Sequence, residues 1–288
     1  MQSLRAAVIL FLYVLFTLPL MPVQALLVML GSGAARTLPH WYHRKVCRLF
    51  NVRLHLSGAP LAPPPVLFVC NHVSWLDISV LSAVAPVSFI AKSEVARWPW
   101  AGWLAKLQRT VFVDRRRPYS VGNVTREVAA RLRAGDRMVL FAEGTSNDGN
   151  LVLPFRTALF AAAMPVGDAS GSEHDISVQT LSIAYTHLHG VPMGRRGRPH
   201  VAWYGGMEMA PHIWDLLRRG PLDVHVEAGS PLPLDGFADR KELARQTEGE
   251  VRRAVSHLLM PRRPGLQEAR SVPETGEAAE VDAVPFIQ

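Results

Sequence analysis

A histidine and an aspartate five positions apart, His72 and Asp77, form the residue pair in this chain best suited to acid–base chemistry. They follow the short apolar run 66–70, which has the composition of a buried strand. An imidazole oriented by a carboxylate is what a general base requires. A spacing of five turns two side chains away from a common helix face. The pair therefore converges only if His72 lies in a loop before a helix, for which Ser74 is the predicted N-cap and Val84 the approximate end.

Two more motifs follow, each at the end of an apolar run. Residues 109–115 read RTVFVDR, and residues 141–145 read FAEGT. Together with NHVSWLD at 71–77, they resemble in order the sequence blocks of the lysophospholipid acyltransferase family, which includes 1-acylglycerol-3-phosphate acyltransferases and lyso-ornithine lipid acyltransferases. Those blocks read roughly NHxxxxD, an apolar strand closed by a basic residue, and FPEGT. The resemblance covers about residues 45 to 230.

The resemblance implies an enzyme that transfers a fatty acyl group from a thioester to a lipid hydroxyl. It implies His72 as the base that takes the hydroxyl proton, and Asp77 as the group that fixes the tautomer of His72. The donor is expected to be acyl-CoA or acyl carrier protein, because a thioester carbonyl is already electrophilic. No cofactor and no metal ion are expected, and the two cysteines stand in neither a metal-ligand nor a redox spacing.

Acceptor binding is also implied by the resemblance, through residues matched by position. The third block assigns it to Glu143, Gly144 and Thr145, where glycine permits a sharp turn and the other two offer polar contacts. The basic residue that closes the second block corresponds to Arg115, with Arg116 beside it. Guanidinium groups suit bidentate binding of a phosphate.

Two residues depart from the third block of the family. Ala142 replaces its proline, and Ser146 stands where the family often has an arginine associated with the acceptor phosphate. The main expectation is an acceptor of the 1-acyl-sn-glycerol-3-phosphate type, with phosphatidate as the product. Lyso-ornithine lipid, which lacks that phosphate, is the alternative that the missing arginine favours. A membrane protein that binds lipid without catalysis is an alternative of another class, and a membrane-tethered hydrolase is a third.

The N-terminal end of the chain holds a long apolar run. Residues 6–30 carry no charge and would span about 37 Å as a helix, enough to cross a hydrocarbon core of about 30 Å. A secretory signal is the competing interpretation, although the run exceeds the roughly 7–15 residues of a signal core. Pro19 and Pro22 also allow a kinked span or an interfacial hairpin. The run predicts membrane attachment and leaves its mode open.

Charge is distributed unevenly along the chain, whose formal net charge is +7. Residues 92–137 contain 11 lysines and arginines against four acidic residues, an excess equal to the whole net charge. A basic face suits membrane lipids, the phosphates of acyl-CoA or the acidic surface of acyl carrier protein. No nucleic-acid-binding module is visible, so no nucleic-acid partner is expected. Basic residues follow the apolar run more densely than they precede it, which predicts an inner-membrane protein with its catalytic domain on the cytoplasmic side.

Apolar patterning predicts an α/β domain. Strands are predicted at 52–56, 66–70, 87–91, 110–113, 138–141, 178–185, 199–204 and 222–227, and helices at 40–50, 93–107, 119–134, 157–164, 211–219 and 238–259. This alternation predicts a mixed, largely parallel sheet flanked by helices, after an N-terminal membrane-associated helix or helical hairpin. The predicted division is a membrane segment (1–35), an acyltransferase α/β domain (36–260) and a tail (261–288) whose composition is typical of disorder.

Three other groups favour structural roles. Cys70 would share a strand face with His72, but its expected burial argues against a nucleophilic thiol. His187 and His189 would lie on one strand face, without a third ligand at a metal-like interval. The tryptophan-rich patch at 98–103 suits core packing, an acyl-chain tunnel or the membrane interface.

Overall fold

The computed structural model of the protein describes residues 1–113, 118–162, 176–233 and 237–260, and eight strands among them form one sheet. The strands are β1 (Val52–Gly58), β2 (Val66–Cys70), β3 (Ser88–Lys92), β4 (Val111–Val113), β5 (Arg137–Phe141), β6 (Ser177–Leu188), β7 (Val191–Pro192) and β8 (Leu222–Ala228). Their order is β1-β8-β6-β2-β5-β3-β4, with β7 paired to β6. Neighbours from β6 to β4 are parallel, whereas β8 is antiparallel to β6 and parallel to β1. The predicted mixed, largely parallel sheet is confirmed.

Helices cover both faces of this sheet. They are α1 (Gln2–Met29), α2 (Ala34–Leu49), α3 (Leu76–Val84), α4 (Ala101–Leu107), α5 (Pro118–Arg133), α6 (Met209–Arg219) and α7 (Arg240–Leu259). One apolar cluster joins the sheet to α1, α2, α3 and α6, and a second joins it to α5 and α7. In β2 the side chains alternate between the two clusters, with Val66, Phe68 and Cys70 in the first. All five residues of β2 are fully buried, which explains why this strand reads as an uninterrupted apolar run.

The strand directions bring the predicted site residues together. Because β2 and β5 are parallel and adjacent, with Cys70 paired to Phe141, the segments that follow them leave the same edge of the sheet. The loop after β2 carries His72, and the loop after β5 carries Glu143. Parallel α/β sheets generally place their ligand sites at this carboxyl edge.

Some predicted elements differ from the structure. The strand predicted at 199–204 is wrong, since Arg198–His200 forms a 3₁₀ turn and Pro199 cannot donate a hydrogen bond to a strand ladder. The helix predicted at 93–107 is divided into a 3₁₀ helix (Ser93–Arg97) and α4, with Trp100 at a φ of 61° between them. The helix predicted at 157–164 is a 3₁₀ helix at Thr157–Ala162. The tail 261–288 lies outside the described residues.

The N-terminal apolar run forms one uninterrupted helix, α1, with Pro19 and Pro22 inside it. By length and composition it is the one helix among the described residues that could cross a membrane. It packs against α2 to form a helical hairpin and also contacts α4 and α6. Near its start Arg5 donates a hydrogen bond to the carbonyl of Leu217, and near its end Gln24 donates to that of Leu107. The α1 helix therefore lies lengthwise on the domain.

The two sides of α1 differ in character. Ala6, Ile9, Thr17 and Gln24 face the domain and are buried. The opposite side exposes large apolar side chains at intervals of one or two helical turns, namely Leu4, Val8, Phe11, Leu15, Leu18 and Leu26. An exposed apolar stripe of this length is typical of a surface that contacts lipid or another protein.

Candidate active site

His72 and Asp77 meet at the carboxyl edge of the sheet. His72 lies in the loop after β2, and Asp77 lies in the first turn of α3. The Nδ1 atom of His72 is 2.8 Å from Oδ2 of Asp77. Asp77 is fully buried, whereas 19% of the His72 side chain is exposed. The two side chains thus converge in the way that the spacing requires, with the histidine in a loop and the helix after it.

The carboxylate of Asp77 accepts four hydrogen bonds. Besides His72, its Oδ2 atom accepts from the backbone N–H groups of Val73 (2.7 Å) and Ser74 (3.0 Å). Its Oδ1 atom accepts from the hydroxyl of Tyr185 at 2.6 Å. Because a buried carboxylate is costly unless it is fully hydrogen-bonded, this set of donors both stabilises the charge and fixes the carboxylate plane.

The predicted N-cap role of Ser74 is wrong. The α3 helix begins at Leu76, Trp75 occupies the cap position, and no side chain makes a cap hydrogen bond. The hydroxyl of Ser74 is buried without a hydrogen-bond partner among the described residues, and the N–H groups of Asp77 and Ile78 donate to the backbone carbonyls of Ser74 (3.1 Å) and Trp75 (3.3 Å). The N–H groups that an N-cap side chain would bind are therefore already satisfied by backbone carbonyls.

The geometry assigns the protonation pattern of the His72 ring. Since the carboxylate of Asp77 is an acceptor, Nδ1 carries the proton and Nε2 carries the lone pair. The ring stacks on Phe141, the last residue of β5, with 4.0 Å between ring centroids and 19° between planes. Stacking and the hydrogen bond together fix the direction in which Nε2 points. Such a nitrogen can accept a proton from a hydroxyl placed within hydrogen-bond distance.

Glu143 is buried behind the same loop, and both of its oxygens are occupied. Its Oε1 atom accepts from the backbone N–H of His72 at 2.8 Å. Its Oε2 atom accepts from the side chain of Asn147 (2.7 Å) and the backbone N–H of Leu153 (2.8 Å). Burial raises the pKa of this carboxyl, and the three hydrogen bonds act in the opposite direction. Glu143 therefore ties the loop after β5 to the base-bearing loop, and its role in acceptor binding stays a prediction.

The other residues implied by the resemblance are less constrained. Gly144 has a φ of 70°, so it supplies the sharp turn expected after β5. Thr145 follows on the surface with its side chain exposed. Arg115 and Arg116 lie outside the described residues. Acceptor binding by these four residues stays a prediction.

Two residues of the site were not identified from the sequence. Asn71 continues the pairing of β2 with β6, because its side chain donates to the carbonyl of Ile183 (3.0 Å) and accepts from the N–H of the same residue (2.8 Å). The NHxxxxD motif contains Asn71, so a signal was present. Tyr185 bonds Asp77 across 108 positions, and no local pattern marks it.

The groups favoured for structural roles are placed as follows. Cys70 is completely buried, and burial first, then the charges of Asp77 and Glu143, raise the pKa of its thiol well above the ordinary value. His187 bonds the neighbouring Thr186 hydroxyl, and His189 lies at a φ of 55° in the turn between β6 and β7. Among the described residues, no group of three or more His, Cys, Asp or Glu side chains is arranged to hold a metal ion.

The tryptophan-rich patch at 98–103 has no single environment. Trp98 packs edge-on against Trp203, with 5.7 Å between ring centroids. Trp103 has 64% of its surface exposed and lies under the ammonium of Lys106. One member is therefore packed, and another is free to contact an external apolar phase.

Comparison with known proteins places these features in context. The model of a family described as Acyltransferase matches residues 53–186. The lyso-ornithine lipid O-acyltransferase of Brucella abortus (strain 2308) is 49% identical, covering 86% of this chain and 93% of that protein. That of Rhizobium meliloti (strain 1021) is 40% identical, covering 96% and 94%.

More distant similarity extends to a second acceptor class and to a solved structure. The 1-acyl-sn-glycerol-3-phosphate acyltransferase of Neisseria meningitidis serogroup B is 31% identical, covering 69% of this chain and 72% of that protein. The crystal structure of the 1-acyl-sn-glycerophosphate acyltransferase PlsC from Thermotoga maritima superposes with a TM-score of 0.64 at 21% identity, covering 91% and 96% of the two chains. At that identity the superposition supports the fold alone.

Proposed function

This chain belongs to the lysophospholipid acyltransferase family, and we propose that its acceptor is a lyso-ornithine lipid. It is an acyltransferase of lysolipids; the proposal concerns which lysolipid. Identity is 49% and 40% with two lyso-ornithine lipid O-acyltransferases, against 31% with a 1-acyl-sn-glycerol-3-phosphate acyltransferase. Ser146, in the position where the family often has an arginine, points the same way. The comparisons thus favour the alternative acceptor over lysophosphatidate, the main expectation from sequence.

The chemistry of this acceptor class agrees with the missing arginine. Ornithine has no hydroxyl group, so the hydroxyl that is acylated must belong to the chain it already carries. The headgroup then offers a carboxylate and an amine, and no phosphate. A cation placed to grip a phosphate is not needed for such a molecule, because phosphate-selective sites rely on convergent guanidinium or ammonium groups.

The observation that carries the mechanism is the 2.8 Å contact between Nδ1 of His72 and Asp77. Nε2 of His72 takes the proton from the acceptor hydroxyl as its oxygen attacks the thioester carbonyl. Asp77 stabilises the imidazolium that forms. When the tetrahedral intermediate collapses, the carbon–sulfur bond breaks, and His72 returns the proton to the thiolate. The acyl group passes directly between substrates, which agrees with the buried, protonated thiol of Cys70.

We propose acyl-CoA or acyl carrier protein as the donor and the membrane as the source of the acceptor. The exposed apolar stripe of α1 supports membrane attachment, because the large side chains of Leu4, Phe11 and Leu15 are more than half exposed among the described residues. The basic residues that follow α1 support a cytoplasmic position for the catalytic domain.

The function is tested with the purified full-length protein in mixed micelles. Two donors are used, labelled acyl-CoA and acyl carrier protein loaded with the labelled acyl group. Each is supplied with lyso-ornithine lipid or with lysophosphatidate, and the two-chain products are measured. We expect lyso-ornithine lipid to be acylated with the higher kcat/KM. A preference for lysophosphatidate would contradict the proposed acceptor. Binding of either lysolipid without consumption of thioester would contradict the enzymatic assignment.

A further inference from the structure

The loop after the Glu-Gly-Thr block carries a negative charge close to the point where the related enzymes often carry a positive one. This acceptor loop, residues 146–150, reads SNDGN. Asp148 is partly exposed and accepts hydrogen bonds from the backbone N–H (3.0 Å) and the side chain (2.9 Å) of Asn150. The side-chain bond from Asn150, with smaller effects from Arg195 and Arg198, lowers the pKa of Asp148. Its carboxyl group is therefore an anion at neutral pH.

The acceptor loop is fixed directly against the loop that carries the base. The backbone N–H of Asn147 donates to the carbonyl of His72 at 3.3 Å. Gly149 has a φ of 76°, and a Cβ at this position would lie 3.0 Å from a methyl group of Val73. Because a side chain here would be strained by the positive φ and crowded by Val73, the position favours glycine, and the acceptor loop packs closely on the residue next to His72. A headgroup bound at Asp148 is then held by a loop that is bonded directly to the loop of His72.

The acceptor loop also contacts a turn that carries Arg195 and Arg198. The buried Arg198 donates to the side-chain oxygen of Asn150 at 2.8 Å, and Asn150 in turn donates to the carbonyl of Arg195 at 3.1 Å. The side chain of Arg195 is exposed, and its charge acts on Asp148. One asparagine side chain thus ties the carboxylate of Asp148 to the backbone of Arg195, which brings an anionic and a cationic residue to the same loop contact.

We propose that Asp148 and Arg195 form the headgroup site for an amino-acid lipid, in which Asp148 binds the ammonium and Arg195 binds the carboxylate. The inference rests on the proposed function and names the residues that select its acceptor. A zwitterionic headgroup is complementary to this pair of charges, and each charge-assisted hydrogen bond is also directional. A phosphate monoester brings two negative charges toward Asp148 and is disfavoured by repulsion.

The proposal is tested by changing the enzyme and the headgroup together. Asp148→Asn removes the charge and keeps one oxygen that can accept from the backbone N–H of Asn150, but it loses the bond from the Asn150 side chain. Against lyso-ornithine lipid we expect kcat/KM to fall about 10- to 100-fold through KM, the range for one charge-assisted hydrogen bond. The same lipid with its free amine acetylated is expected to be a weak acceptor for the wild type. With that lipid the variant should have the same kcat/KM as the wild type. Asp215→Asn, an exposed aspartate on α6, is the matched control and should leave both acceptors unchanged.

The carboxylate half of the site has a parallel test. Arg195→Ala should lower kcat/KM for lyso-ornithine lipid by a similar factor and should leave kcat/KM for its carboxamide derivative unchanged. Equal losses against the native and modified headgroups would mean that Asp148 or Arg195 only supports the loop, and the inference would be overturned while the proposed function stands. A wild-type enzyme that acylates lysophosphatidate and ignores lyso-ornithine lipid would overturn the proposed function itself.

Discussion

At the residue scale, the arrangement of His72 depends on groups that do not touch the reacting atoms. Asp77 has no exposed surface, and three donors besides His72 hold its two oxygens. Glu143 holds the backbone of His72 from the other side. A histidine restrained at its ring and at its backbone loses little freedom when a substrate arrives, which favours catalysis by orientation.

Removal of the imidazole should abolish most of the activity. His72→Ala is expected to lower kcat/KM roughly 10²- to 10⁴-fold, the range typical of a general base, as measured by transfer of labelled acyl groups to lyso-ornithine lipid. His55→Ala is the matched control, because His55 on the largely exposed strand β1 also pairs with an aspartate, Asp223 on β8. A folded His72→Ala protein with wild-type rates would show that another group is the base.

Loss of the Tyr185 hydroxyl should affect both stability and rate. Tyr185→Phe leaves one buried oxygen of Asp77 without a donor, which is expected to cost about 1–3 kcal/mol of unfolding free energy. Because Asp77 then holds the imidazole less firmly, kcat should fall while KM stays constant. Tyr42→Phe is the control, since that hydroxyl bonds Thr17 at 2.8 Å, away from the site. If both variants kept full kcat, Tyr185 would have a structural role alone.

The contrast between Asp77 and Tyr185 shows what a sequence reveals about a site. The pairing of His72 with Asp77 follows from a spacing of five and an adjacent strand, which are local features. The contact with Tyr185 exists only because β2 and β6 are neighbours in the sheet, and strand order cannot be read from spacing. Asp77 was therefore predictable from local geometry, whereas Tyr185, which topology brings to the site, was not; Glu143 is also brought there by topology and was identified through the family resemblance.

At the element scale, strand predictions succeeded where burial is uniform. β2 appears as a continuous apolar segment because both of its faces are covered by helices, whereas β6 is almost as uniformly buried although it holds Gln179, Thr180 and Ser182. The failures lie at 93–107, 157–164 and 199–204. At 93–107 an aromatic residue with positive φ interrupts the apolar pattern, and at 199–204 a proline does so. The short apolar segment 201–204 that follows this 3₁₀ turn has no period that separates it from a short strand.

The interface between α2 and α3 should make stability depend on pH. His43 is half-buried there, accepting from the hydroxyl of Ser79 (3.1 Å) and donating to the side-chain oxygen of Gln108 (3.2 Å). Burial lowers the pKa of His43 to about 4. The folded state thus favours the neutral ring; this contribution is complete above the unfolded pKa of about 6.5 and is lost as pH falls toward 4, a change of about 3 kcal/mol.

Denaturant unfolding in detergent at pH 7 and pH 4.5 measures this effect. His43→Gln can form similar hydrogen bonds without titrating, so its free energy of unfolding should fall less between the two pH values than that of the wild type. His200→Gln, at an exposed position, should leave the pH dependence as it is. An identical slope for wild type and His43→Gln would assign the acid sensitivity to other groups.

At the scale of the whole molecule, the apolar helix α1 packs along its length against the catalytic domain. The sequence shows that residues 6–30 are apolar but not which side packs, because apolar side chains occur on every face. The structure places Thr17 and Gln24 toward the domain, where Gln24 bonds the carbonyls of Ala35 and Leu107. The polar residues of the run thus face protein, and the outward stripe is wholly apolar.

The outward stripe should govern membrane binding. Phe11→Asp combined with Leu15→Asp removes two exposed apolar side chains that do not support the fold, at about 1.5–3 kcal/mol each if they are buried in lipid. We expect at least a 100-fold weaker partition into lipid vesicles, measured by flotation, with unchanged far-UV circular dichroism. Leu56→Asp, an equally exposed leucine on β1, should float like the wild type. Equal flotation of all three proteins would exclude the stripe as the lipid contact.

The lengthwise position of α1 has a consequence for how the enzyme meets its acceptor. A protein held along one side of a bilayer encounters lipids by two-dimensional diffusion within a single leaflet. Its turnover should then follow the mole fraction of lysolipid in that leaflet, so that diluting the membrane with inert lipid slows the reaction even when the amount of acceptor per volume is constant.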